Sequence, residues 1–267
     1  LSDLFCAPIS LNASQCVPLD QIKCDLIGAT ADNSGCDLPL AVSMFADVKA
    51  QRIEPNHLSL RQLQDRLNST TARDKAALPL VKLATFGDAR TDKGSLRHDA
   101  NLLRVSGVEG DYDAGAVSPR EAAERLRQAG IASLIYTTPS HTAEAPRWRV
   151  LAPLARPVAP AERETLCARL NGALGGILAA ESFTPSQSFY FGAVTGRPVE
   201  SVPVEGQPLD RVSGVASIGP QPTPLTPRTT DQRTPSDSHS AANACDSIST
   251  AAAPVPRARA ALSAGVA

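Results

Sequence analysis

Apolar and polar residues alternate with a readable period over only part of the chain. Leucines at 58, 60, 63 and 67 in HLSLRQLQDRL fall close to helical spacing and predict a helix over 58–67. The run KAALPLVKLATFG that follows is apolar enough to be buried up to Phe86, with Pro79 interrupting it. NLLRVSGVEGDYD, residues 101–113, reads as a strand ending in acidic residues. Ser118, Pro119 and Glu121 then open a helix. The serine can accept an orphan backbone N–H, the proline suits the first helical position, and the glutamate three residues on completes a capping box. That helix, AAERLRQA, is expected to stop at Gly130, which is free to take the left-handed conformation.

Residues 131–137 (IASLIYT) and 147–152 (RWRVLA) carry the β-branched and aromatic residues of strands, with a polar loop at 138–146 between them. A helical pattern returns over 160–174 and ends at Gly175 and Gly176, and SFYFGAV at 188–194 predicts a last strand. The order β-α-β-β-α-β is that of an α+β, split-βαβ (ferredoxin-like) sheet with two helices on one face, here with an α/β extension before it. RNA-recognition modules and polymerase palms share that sheet, so the fold class leaves function open.

Composition sets the boundaries. All ten aromatic residues precede position 192, whereas 201–267 holds nine prolines, much Ser, Thr and Ala, and no aromatic. Such a segment cannot bury enough apolar area to offset its ordering entropy, and is expected to be a disordered tail or linker. Residues 1–40 are weakly patterned, which leaves 41–200 as the folded domain. A net charge of −1 over 267 residues removes any case for nucleic-acid binding from overall basicity, so such a role must rest on a local site. No apolar run spans a bilayer and no signal peptide opens the chain, so a cytoplasmic protein without a membrane partner is expected. A start at Leu1 is expected of a fragment or a misassigned start. The six cysteines include no C-x-x-C pair, the spacing a zinc ribbon needs, and read as ordinary thiols.

Three segments could carry chemistry. Asp111 and Asp113, two apart at a strand end, share one face, where paired carboxylates repel unless a cation holds them. A solvated turn is the alternative. His141, with Ser140 before it, follows the second strand and could lean toward those carboxylates and a phosphate oxygen, or be a plain surface histidine. Arg147 and Arg149 flank Trp148, so both guanidiniums share a face and would suit a triphosphate, or else salt-bridge to Asp111 or Asp113 with no ligand.

The run GDYD, a capped helix, IYTTPSHT and PRWRVLAPLARP resembles the archaeo-eukaryotic primase superfamily, more narrowly the primase-polymerase-like domains of phage and plasmid replication proteins. The likeness extends over residues 43–200. It implies that Asp111 and Asp113 hold Mg²⁺ or Mn²⁺ and that His141 contacts the nucleotide's phosphates, with Pro139 at the motif's small-residue position. It further implies a third metal carboxylate, for which Glu181 is the candidate, and template or phosphate contacts for Lys82, Arg90 and Arg97. The function so implied is metal-dependent nucleotidyl transfer from NTP or dNTP on single-stranded DNA. A replicative helicase would be a partner or a missing domain beyond the Pro/Ser/Thr tail, because no G-x-x-x-x-G-K-[ST] loop is present. The rival is a non-catalytic single-strand-binding module or degenerate primase, with Tyr112 and Trp148 either as stacking platforms or as core residues. A rolling-circle nuclease would need an H-x-H metal site, which His57, His98, His141 and His239 do not form.

Overall fold

A computed structural model describes residues 34–221. The expectations for residues 1–33 and 222–267, among them Cys6, Cys16, Cys24, Cys245 and most of the tail, lie outside the described residues. Two antiparallel sheets face each other, and two helices cover the far side of the second.

The first sheet is built from β1 (Leu40–Phe45), β2 (Ile53–Leu58), β4 (Leu80–Lys82) and β9 (Phe189–Tyr190), in the order β2-β1-β4-β9. Asp47 closes the β1–β2 hairpin by accepting the Lys49 and Ala50 N–H groups at 2.9 and 3.2 Å. Helix α1 (Leu60–Ser69) starts from a reciprocal cap: Gln62 N donates to Ser59 Oγ at 3.3 Å and Ser59 N to Gln62 Oε1 at 2.9 Å. Leu60, Leu63 and Leu67 are its buried stripe, while Leu58, counted with them by spacing, ends β2 instead. A short parallel pair joins β3 (Thr71–Ala72) to β10 (Ala193–Val194).

The second sheet runs β11-β7-β8-β6-β5, from Ser201–Val204, Ser133–Thr137, Trp148–Val158, Leu102–Tyr112 and Ala84–Phe86 respectively. Its strands β6, β7 and β8 stand in the expected places, with β8 antiparallel between the other two. Helices α2 (Pro119–Gln128) and α3 (Arg163–Leu174) pack on one face, where Ala122, Leu126, Leu166 and Leu170 meet Val108, Tyr112, Ile135, Trp148 and Val150. The intervening residues Leu134, Tyr136 and Leu151 point the other way, to α1 and the first sheet through Val42, Leu63 and Leu83. Burial on both faces explains why these strands read as nearly continuous apolar runs. Ser118 caps α2 as expected, accepting from Glu121 N at 3.1 Å, but the Glu121 carboxylate takes Arg125 at 2.7 Å.

Two expectations are corrected. The segment 188–194 does not supply a fourth strand beside β6; that edge is occupied by β5. Gly192, at φ 121°, breaks SFYFGAV, so β9 joins the first sheet, Phe191 enters the core against α1, and β10 pairs with β3. The full split-βαβ sheet is therefore absent among the described residues, and the architecture is a mixed α/β one with two antiparallel sheets and a short parallel pair. The folded region also passes residue 200: β11 pairs with β7, and Val204 and Leu209 are fully buried. An edge strand tolerates Pro203, which composition counted as a tail residue. No helix among the described residues is long and apolar enough to cross a membrane.

One ionic cluster joins the layers. Glu109, on β6 and fully buried, accepts from Lys82 Nζ at 2.7 Å, from Arg163 Nη2 at 3.1 Å and from the Leu83 backbone N–H. Burial raises the Glu109 carboxyl, but Lys82 and Arg163 outweigh it and hold the group below the ordinary glutamate range. Such a carboxylate adds stability that is fully present above that range and is lost as pH falls through its depressed value. Glu109→Gln leaves two buried cations uncompensated, and should cost about 3–5 kcal/mol in urea unfolding followed by circular dichroism at neutral pH. The gap to wild type should narrow on acidification; an equal cost at all pH values would contradict the ionic account.

Candidate functional site

Strand register assembles the site. Asp111 on β6 stands directly opposite Arg149 on β8, Tyr112 opposite Trp148, and Trp148 opposite Thr137 on β7. The end of β6, the end of β7, the start of β8 and the loop 138–146 therefore share one end of the sheet. Alternation turns Asp111 and Arg149 to the face that looks at the first sheet, on the side of Glu109 and Tyr136.

Arg149 Nε donates to Asp111 Oδ1 at 2.7 Å, with both side chains largely buried, at 8% and 13% exposure. Its Nη1 donates to the Tyr190 carbonyl at 2.7 Å, and its guanidinium lies 5.2 Å from the Phe189 ring centroid. The Tyr136 hydroxyl donates to the same carbonyl at 3.2 Å, and burial pushes that phenol well above its ordinary range. The Asp111 backbone is pinned on both sides: its N–H donates to Ser182 Oγ at 2.9 Å and its carbonyl accepts from Ala179 N at 2.9 Å. Arg163 holds Ser182 in turn, donating to its carbonyl at 2.8 Å. Buried Glu109 and the site two residues on are thus tied into one frame.

Lys75 completes the cationic side. It sits in the 3-10 turn Lys75–Ala77, with Nζ 5.2 Å from the Tyr190 ring centroid. Partial burial and the neighbouring Arg149 cation push its ammonium below the ordinary lysine range, with Asp111 pulling the other way. Sequence spacing offers no signal for Lys75 or Tyr190, because both reach Asp111 and Arg149 from the first-sheet side. His141 accepts the Arg147 N–H at Nδ1, 3.1 Å away. A neutral ring bonded so keeps its proton on Nε2, leaving one N–H donor for a ligand.

Asp113 is exposed just past the end of β6, Arg147 is exposed just before β8, and Ser140 is exposed in the turn that Thr138 and His141 close. Glu181 is exposed on the turn Ala180–Phe183, its backbone brought beside Asp111 by Ser182. The structure thus gathers Asp111, Arg149, Arg147, His141 and the Glu181 turn toward one sheet end. It does not bring the other cations there as free contacts. Lys82, expected to meet template or phosphate, is fully buried on Glu109 and is corrected to a core ion pair. Arg90 donates to the carbonyls of Gln51 and Gly94 at 3.0 and 2.9 Å, lining a groove of about 530 Å³ with Arg52, His57 and Phe86. Arg97 is half-buried, with Nη2 3.4 Å from the Val48 carbonyl.

Tyr112 and Trp148 are not stacking platforms. They stack on each other at 4.7 Å on the helix side, both fully buried. The Tyr112 hydroxyl accepts the Ala116 and Val117 N–H groups at 2.8 and 2.7 Å, and Trp148 Nε1 donates to the Val117 carbonyl at 2.8 Å. Their work is to fold the loop after β6 back onto the sheet.

Among the described residues, no three His, Cys, Asp or Glu side chains converge as a metal cage, and Asp111 is already paired with a cation. The donors do not fit a resident ion. Two carboxylates do suffice for an ion that arrives already bound to a nucleotide's phosphates.

An α/β domain with an acidic and cationic cluster where two sheets meet is the class that fold and site define. No protein-family model and no curated protein matches the chain. Among solved structures it is similar to the AEP domain of the primase-polymerase of cyanophage S-2L, at 13% identity over 61% of this chain and 80% of that one, with a TM-score of 0.33. A superposition that loose leaves the reading to the residues of the site.

Trp148→Ala should lower stability by about 3–5 kcal/mol in urea unfolding. A change within 0.5 kcal/mol, the range of substitutions away from packed features, would restore Trp148 as a surface residue.

Proposed function

We propose that this domain carries out nucleotidyl transfer as a DNA primase or primase-polymerase domain of a phage or plasmid replication protein. The observation that supports it is the convergence of a carboxylate, three cations and an imidazole N–H from separate chain segments: Asp111, Lys75, Arg147, Arg149 and His141. That set suits a polyphosphate, whose several negative charges need donors from more than one direction.

In this reading Arg147, Lys75 and the His141 Nε2–H hold phosphate oxygens, and Asp111 and Asp113 face the metal side of the nucleotide. A primer 3′-hydroxyl attacks the α-phosphorus, its proton leaves to solvent, and the bond to pyrophosphate breaks. Mg²⁺ or Mn²⁺, entering as part of the substrate, supplies charge neutralisation at the phosphates. Glu181, whose chain neighbour Ser182 accepts the Asp111 N–H, is the candidate third carboxylate once a nucleotide is bound. Single-stranded DNA is the template, and a replicative helicase is the partner the reading implies.

A second reading is a non-catalytic nucleotide- or single-strand-binding module. What favours it is the Asp111–Arg149 ion pair in a site with no three-ligand cluster among the described residues.

Incorporation of labelled nucleotide on single-stranded DNA with Mg²⁺ or Mn²⁺ separates the two. Product that falls by about 10²-fold or more in Asp111→Asn/Asp113→Asn is the expected result. No product from wild type, with DNA still bound in chelator, would establish the second reading.

A further inference from the structure

The carboxylate best placed to meet a nucleotide's metal is already occupied by an arginine. Asp111 Oδ1 holds Arg149 Nε at 2.7 Å, only 13% of its side chain is exposed, and Lys75 adds a second cation nearby. A bare divalent ion approaching Asp111 must displace a direct charge-assisted hydrogen bond and then sit beside Arg149 and Lys75. That is an unfavourable exchange for the ion alone.

We propose that Arg149 is a latch on Asp111 that an incoming triphosphate releases, so that this site takes a divalent ion only together with a nucleotide. The proposal rests on the nucleotide reading above and adds an obligatory order to it. A triphosphate changes the balance because it offers the guanidinium several oxygens of higher charge than one carboxylate, in the geometry that its planar fork matches. Releasing Arg149 frees Asp111 Oδ1 for the metal as it arrives.

The surroundings confine the exchange to side chains. The Asp111 backbone is fixed by Ser182 Oγ and Ala179 N, each at 2.9 Å, so β6 does not have to move. The Arg149 guanidinium is anchored by the Tyr190 carbonyl at 2.7 Å and by the Phe189 ring, so a rotation of Nε away from Asp111 need not carry the whole group off. The bistable element is the ion pair itself. Because coupling between ligands is reciprocal in binding free energy, the nucleotide favours the ion as much as the ion favours the nucleotide.

The test is binding, measured on the full chain. Mn²⁺ is titrated alone into wild type, Arg149→Met and Arg149→Met/Asp111→Asn, with free Mn²⁺ read by electron paramagnetic resonance. Arg149→Met should bind Mn²⁺ alone at least ~10-fold more tightly than wild type, within the ~5–150-fold span of such couplings, and the double variant should lose that gain. Equal Mn²⁺ affinity in wild type and Arg149→Met would overturn the latch while leaving nucleotide binding standing. A measurement without any variant guards against misfolding. In chelator, inorganic triphosphate added to wild type should shift the Arg149 Nε–H nuclear magnetic resonance signal and the Asp111 carboxyl carbon together. If both signals stay put while a nucleoside triphosphate is shown to bind by calorimetry, the latch is wrong. If no nucleoside triphosphate binds with or without Mn²⁺, the nucleotide reading falls and the latch falls with it.

Discussion

A single buried carboxylate carries the strain of holding this domain together. Glu109 is fully buried, and its charge is met by Lys82 from the first sheet, Arg163 from α3 and the Leu83 N–H where the chain crosses between sheets. Each partner comes from a different layer, so no layer can shift without leaving a charge unpaired in a low-dielectric interior. Gly107 marks how closely those layers approach: a Cβ there would lie 2.4 Å from Leu83 Cδ1 and 2.7 Å from the Ala152 carbonyl. The ionic cluster and the close approach belong to one crossing point, just upstream of Asp111.

The site inherits its order from that crossing. Arg163 does double duty, meeting Glu109 with one amino group and the Ser182 carbonyl with the other, while Ser182 takes the Asp111 N–H. Asp111 is therefore held through its backbone by two hydrogen bonds and through its side chain by one ion pair. From the other side, the Tyr190 carbonyl collects Arg149 and Tyr136, so the first sheet touches the site through one short strand. Acidic and cationic groups that would be solvated on a surface are concentrated where two sheets meet, and their interactions are correspondingly stronger.

Periodicity in the sequence carried the central strands and their helices because those elements bury whole faces or whole stripes. NLLRVSGVEGDYD, IASLIYT and RWRVLA name three adjacent strands, and Ser118, Pro119 and Gly130 bracket α2. The β1–β2 hairpin stayed hidden because IEPNHL is a mostly solvent-facing edge strand with a proline in it. β11 was masked for a related reason: SVPV is four residues of strand averaged into a long Pro-rich composition. In the site, Asp111, His141, Arg147 and Arg149 were legible because strand ends and their loop place them by register alone. Lys75 and Tyr190 were not, since nothing in local spacing links residues 75 and 190 to 111 and 149. Lys82, expected to meet template or phosphate, is instead a core residue. Its setting in LVKLA, like that of Glu109 in VEG, puts a charge within an apolar run, where it has to find its partner inside.

The stacked pair behind Asp111 gives the protein an internal optical probe. The chain has one tryptophan, and it is fully buried, ring to ring with Tyr112. Trp148 is also the residue before Arg149, and its indole N–H is committed to the Val117 carbonyl. Its emission therefore comes from a single environment, shielded from solvent quenchers, on the opposite face of the sheet from the Asp111–Arg149 pair. A rearrangement at the start of β8 would be transmitted to that indole through one peptide unit, so the protein reports on its own site without a label.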